Sequence, residues 1–158
     1  MKSNLISKSE TADVLEQIAK QWKFSLPKVK NFKIYEIDDV SSIIVGEGLT
    51  ILKIGDTYLP FLSDTATLQK FPSVTVDMGA VKFMCNGANV MRPGIRSFAE
   101  FEKGDIVCII EESQRKFLAV GRALVSSKDL ETMSKGVAVE NLHYISDKYW
   151  EIKKSIKD

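Results

Sequence analysis

The chain has 158 residues, an apolar fraction of 44% and a formal net charge of +1. That length suits one medium domain or two small ones, and near-neutrality means that global charge does not announce a nucleic-acid binder, so local charge carries the reading. Every apolar run is too short to cross a membrane, and the start, MKSNLISKSE, has no apolar core of signal-peptide length, so the cytoplasm is the expected location and no membrane partner is expected.

Ser7 and Glu10 stand at capping-box spacing, and Val14, Leu15, Ile18 and Trp22 follow at helical spacing, which predicts a helix over about Ser9 to Lys23. A strand-rich block comes next. Phe32 to Ile37, Ser42 to Val45, Leu49 to Ile54 and Thr57 to Leu62 are separated by turn signals at Gly46-Glu47-Gly48 and Gly55-Asp56. This predicts an antiparallel meander packed on the first helix. A few helical residues from Thr65 to Lys70 lead to Phe71-Pro72, where Pro marks a boundary.

The next stretch, Val74 to Ile95, is dense in bends. Val74, Val76 and Met78 alternate with Thr75 and Asp77, the period of a strand, until Gly79 breaks it. Ala80 to Cys85 suits one or two helical turns. Asn86-Gly87 is a helix-stop signal, because both residues tolerate the left-handed conformation. Ala88 to Met91 reads as a short strand, and Pro93-Gly94 as a turn with positive φ at Gly94. Within this stretch Phe83, Val90 and Ile95 read as core.

Beyond it, Gly104-Asp105 turns the chain into a buried strand, Ile106 to Ile110. Glu111 to Lys116 is a charged hairpin loop, and Phe117 to Leu124 a strand interrupted by Gly121. Ser127 caps a short helix, Lys128 to Lys135, and Val137 to Tyr144 is the last extended run. Lys153 to Asp158 reads as a frayed tail. Short strands with frequent turns favour a small barrel or sandwich for this half.

Little points to catalysis. Cys85 and Cys108 have no CxxC spacing and no histidine nearby, so they read as buried reduced thiols, and neither metal nor cofactor is expected. His143 is the only histidine, and no HExxH, GxSxG or phosphate-loop fingerprint accompanies it. It reads as structural, and a hydrolase built on it is the weakest functional rival.

The run GAVKFMCNGANVMRPGI resembles the signature of the PUA domain, named for pseudouridine synthases and archaeosine transglycosylases. Gly104-Asp105-x-Val107, Ala119-Val120-Gly121 and the terminal strand agree in order, so this likeness covers residues 73 to about 152. The run KGVAVENLHYISDKYWEIK is similar to the end of the malignant T-cell-amplified sequence family, and Tyr58-Leu59-Pro60 and Lys70-Phe71-Pro72 occupy places comparable to that family's elements. The small size points to its archaeal branch. The resemblance implies a non-catalytic, RNA-binding protein acting in translation. It also implies, as partners, tRNA or ribosomal RNA, the small ribosomal subunit and a protein carrying an initiation-factor-like domain. RNA would dock against the short helix, the glycine loop and the final strand.

The residues fit that implication. Gly79, Gly87 and Ala88 let a backbone approach closely, and a helix N-terminus near Gly79 to Val81 offers N–H groups. Lys82, Arg92 and Arg96 could neutralise phosphates, while Asn86 and Asn89 could read a base edge or ribose hydroxyl. Arg122 beside Gly121, and Tyr144 and Lys148 near the terminal strand, could add charge and stacking. Arg92 departs from the family, which often has a small residue there. Lysines outnumber acids up to Glu36, a basic part that could widen an RNA footprint.

The expectation is therefore an α+β chain: a small N-terminal α+β domain, 1–72, followed by a PUA β-pseudo-barrel, 73–158. Its expected role is docking of structured RNA. Alternatives are an RNA-docking accessory subunit for a modification enzyme and a protein–protein adaptor.

Overall fold

Ser7 Oγ accepts the Glu10 N–H at 3.0 Å while Glu10 Oε1 accepts the Ser7 N–H at 3.3 Å, and this reciprocal cap starts helix α1, Lys8–Trp22. Lys23 ends it in the left-handed conformation, φ 64°. The computed structural model, which describes residues 1–156, has five strands in this half: β1 Ser3–Leu5, β2 Lys33–Glu36, β3 Ser41–Gly46, β4 Leu49–Ile54 and β5 Thr57–Pro60. They form one antiparallel meander in the order β1-β2-β3-β4-β5. The Trp22 indole N–H donates to the Tyr58 carbonyl at 2.8 Å and fastens α1 to the edge strand. The expected meander on a helix is present. Strand β1 is an addition to it, because three residues carry no periodicity and the strand exists only through its pairing with β2.

Helix α2, Thr65–Leu68, leads to a six-stranded sheet: β6 Ser73–Val76, β7 Val90–Met91, β8 Ile95–Phe98, β9 Ile106–Glu111, β10 Phe117–Ala123 and β11 Val137–Tyr144. Their order is β7-β11-β10-β9-β6-β8, antiparallel except for the β6–β9 pair. The two edge strands, β7 and β8, are joined by a single 3-10 turn, Arg92–Gly94, so the sheet curls into a nearly closed barrel. Gly94 does not take the positive φ expected of it, because Pro93 enters that 3-10 turn and not a type II turn. Helix α3, Val81–Met84, and helix α4, Ser127–Thr132, decorate the barrel.

Strand β9 is buried on both faces and joins two cores. Ile106 and Cys108 pack with Ile18, Phe32, Ile51 and Leu59 of the first sheet and helix, while Val107 and Ile109 pack with Val74, Val76, Leu130 and Val139 inside the barrel. Helix α5, Lys148–Lys153, straps the two sheets together. Trp150 stacks on Phe61 at 6.3 Å, and Lys148 Nζ lies 3.0 Å from Asp38 Oδ2. The tail is thus not frayed through its described part: it is helical to Lys153 and buries Ile156, while Lys157 and Asp158 lie outside the described residues.

His143 is fully buried between the sheets. The Leu62 N–H donates to its Nε2 at 3.1 Å, so the ring proton sits on Nδ1 and donates to Asp147 Oδ2 at 2.8 Å. With both nitrogens engaged and the ring 4.6 Å from that of Phe61, His143 is a core residue, as expected. Cys108 is buried, whereas Cys85 is only half-buried, and both thiols are free. Among the described residues no helix is long and apolar enough to cross a membrane, and no group of acidic, histidine or cysteine side chains is placed to hold a metal ion.

Candidate functional site

The bends between β6 and β7 build a loop whose shape follows from a few hydrogen bonds. Asp77 Oδ1 accepts the Ala80 N–H at 3.0 Å and opens the 3-10 turn Met78–Ala80, which passes into α3. The Ala88 N–H returns to the Phe83 carbonyl at 3.0 Å and closes the loop after the helix. That return needs Gly87 twice over. Its φ is +88°, and a Cβ there would stand 2.9 Å from the Tyr144 ring.

Within this loop Gly79, Ala88 and Asn89 line a groove of about 400 Å³ together with Phe83, Met84 and Met91. Met84 forms its floor. Phe83 does not join the core as its sequence position suggested: it is 52% exposed, beside Met78 at 51% and Met91 at 47%. A four-residue helix has no room for a periodic signal, so VKFM could not reveal that Met84 faces inward and Phe83 outward. Val90 and Ile95 are buried as expected.

The other expected site residues divide by what already holds them. Lys82 and Asn86 are exposed beside the groove, and Lys82 Nζ lies 5.1 Å over the Phe83 ring with no ion pair among the described residues. Tyr144 packs under Gly87. Arg92 is turned onto the barrel: its Nε donates to the Leu130 and Met133 carbonyls at 2.9 and 3.1 Å, and its Nη1 to the Ile95 carbonyl at 3.3 Å. Arg96 Nε lies 3.7 Å from Glu112 Oε2. Arg122 donates to Thr57 Oγ1 across the sheet junction and lies 3.6 Å from Glu140. Lys148 is the cation of the α5 strap, and hydrogen bonding to Asp38 pushes its pKa up. The structure therefore brings Gly79, Ala88 and Asn89 together on the groove, leaves Lys82, Asn86 and Gly87 outside its lining, and sets the three arginines and Lys148 in contacts of their own.

The expected nest of N–H groups is largely occupied. The Met78 N–H donates to Glu112 Oε2 at 3.0 Å, Ala80 to Asp77, and Val81 to the Met78 carbonyl. With Asp77 lining the groove and Glu112 beside it, this end is a poor cradle for phosphate. The groove is instead an apolar slot lined also by the Asn89 amide and the Asp77 carboxylate, with Lys82 outside the lining, over the ring of Phe83.

One residue outside the expected set also shapes the loop. Asn141 of β11 donates through Nδ2 to the Met84 and Ala88 carbonyls at 3.1 and 3.0 Å, and its backbone N–H donates to Asn89 Oδ1 at 3.0 Å. An asparagine inside a strand pattern, where β-propensity disfavours it, was the available signal.

Known proteins share this architecture. Residues 72–145 match the family model described as PUA domain. The chain is 38% identical over 132 residues to an uncharacterised protein of Methanocaldococcus jannaschii, covering 81% of this chain and 80% of that one. It is 30% identical to translation machinery-associated protein 20 of Saccharomyces cerevisiae, over 79% of this chain and 74% of the relative. It is 32% identical to malignant T-cell-amplified sequence 2 of Homo sapiens, over 81% and 75%. The crystal structure of a hypothetical protein from Pyrococcus horikoshii OT3 superposes with a TM-score of 0.80 at 30% identity, covering 96% of this chain and 99% of that one.

Proposed function

The chain belongs to the PUA-domain family that includes the malignant T-cell-amplified sequences and translation machinery-associated protein 20, and on that premise we propose that it is a non-catalytic RNA-binding protein acting in translation. The observation that carries the finer reading is the apolar groove with Phe83 exposed at its mouth and Lys82 beside it, without an ion pair among the described residues. An unstacked base gains about 1–3 kcal/mol on an aromatic face. A cation outside the slot suits the phosphate that follows that base, while Asp77 inside it disfavours phosphate. Bases available in this way occur in loops and at ends of structured RNA. The ligand we propose is tRNA or small-subunit ribosomal RNA, bound in a cytoplasmic setting on residues 73–158. The first 72 residues would form the second domain and face the small subunit or a partner with an initiation-factor-like domain.

The test is titration of an unmodified tRNA transcript and of small ribosomal subunits at matched salt. Lys82→Glu is expected to weaken binding whatever the RNA sequence and to lower the slope of log K against log salt by about 1. Phe83→Ala is expected to weaken binding by about 1–3 kcal/mol with the slope unchanged. Preference for free tRNA over subunits would favour the modification-accessory reading. Absence of binding to either RNA would overturn the proposal. The exposed Met78 and Met91 favour the adaptor as a second reading, in which Phe83→Ala weakens capture of a protein and Lys82→Glu leaves RNA binding untouched.

A further inference from the structure

The β7–β11 ladder pairs Met91 with Val137 and Val90 with Val139, and then backbone pairing stops. One step on, the Asn141 N–H finds the side chain of Asn89 in place of a backbone carbonyl. A backbone N–H only donates, so the Asn89 atom facing it is Oδ1, and the Nδ2 end of that amide is left for whatever enters the groove. The two amide hydrogens of Asn141 meanwhile hold the Met84 and Ala88 carbonyls, which bracket the glycine loop. On the other edge of β11, the β10 register shifts between Val120, opposite His143, and Gly121, opposite Asn141, so Asn141 stands beside a β-bulge on one edge and just past the end of backbone pairing on the other.

We infer that Asn141 is a positioning residue of the RNA site: it fixes the 84–89 loop and turns the Asn89 amide so that the groove offers N–H donors and selects an acceptor edge, a carbonyl oxygen or ring nitrogen of a base. This inference rests on the RNA-binding reading above. Asn141 acts through Asn89 and the loop, and adds no charge contact of its own. Its loss therefore reduces affinity without changing the number of phosphates neutralised.

The experiment titrates an unmodified tRNA transcript with wild type, Asn141→Ala, Asn141→Gln and Asn89→Ala, each well below its own melting temperature and at several salt concentrations. Asn141→Ala is expected to bind about tenfold more weakly with the wild-type salt slope, and Asn141→Gln, which keeps the carboxamide, to recover part of the loss. Asn89 is exposed, so Asn89→Ala removes the whole amide, the Nδ2 donor together with the Oδ1 that accepts the Asn141 N–H, without disturbing the core, and a loss of similar size is expected. Affinity within twofold of wild type for Asn141→Ala or Asn89→Ala overturns the inference while leaving the RNA reading in place, as does a salt slope lowered by about 1. A wild-type chain that fails to bind the transcript removes the RNA reading and the inference with it.

Discussion

Gly121→Val is expected to destabilise the fold by roughly 4 kcal/mol or more, which for a chain of this size lowers the melting temperature by at least about 10 °C. The reason is local. A Cβ on Gly121 would overlap the Glu140 carbonyl oxygen, and it would also press on Val139 Cγ1 at 2.8 Å. Glu140 is backbone in the adjacent strand, paired in register with Arg122, so it cannot yield without opening the β10–β11 ladder. The same ladder carries Asn141 and His143, so the groove loop and the inter-sheet junction loosen together. Gly48→Ala is the control. Gly48 has φ +82°, but a Cβ added there would meet nothing within 4 Å, so only backbone strain of about 1–2 kcal/mol is expected. Denaturant or thermal unfolding of the two variants checks this, and equal losses would contradict it.

His143→Ala is expected to cost about 3–5 kcal/mol, because it leaves the Leu62 N–H and one Asp147 oxygen without their buried partner and opens space beside Phe61. His143→Phe separates the two effects: it refills the space but restores neither hydrogen bond. The comparison also has a pH signature. Burial pushes the Asp147 carboxyl up, but the hydrogen bonds from His143 and from the Trp150 and Tyr144 N–H groups outweigh it and hold the carboxyl below its ordinary value. A depressed carboxylate contributes stability that is fully present above the unfolded pKa, near 4, and is lost as pH falls through the folded value. The Asp147 part of the stability gap between wild type and His143→Phe should therefore narrow as pH falls below about 4. A gap that widens in acid would contradict the hydrogen-bonding scheme.

Those two positions show why parts of the fold could be read ahead of the structure and others could not. The helix start was legible because Ser7 and Glu10 satisfy each other locally, and the meander because its turns and alternation lie within a few residues of each other. Short strands with frequent turns left barrel and sandwich both open for the second half, and the resemblance of the run around Gly87 and Pro93 to the PUA signature is what pointed to the barrel. What escaped was non-local. Strand β1 exists through β2, and α5 is started by Asp147, which accepts the Trp150 N–H at 2.8 Å while also holding His143. The same limit applied to the site. The small residues and asparagines were singled out because the resemblance pointed to the short helix and the glycine loop that carry them. Sequence alone could not show that Arg92 would turn onto three carbonyls, that Glu112 would come over to Met78 and Arg96, or that Phe83 would face outward. Leu130, Met133 and Glu112 lie far along the chain from the residues they meet, and spacing carries no trace of them.

Whether RNA enters the groove between β6 and β7 is decided by a residue-level contact map: an unmodified tRNA transcript photo-crosslinked to the wild-type protein, with the attached residues identified by mass spectrometry. Crosslinks are expected to concentrate on Lys82, Phe83 and Asn89, around that groove. Crosslinks confined to the lysines of α1 or to the strap around Lys148, with residues 77–91 unlabelled, would contradict a groove-centred RNA site.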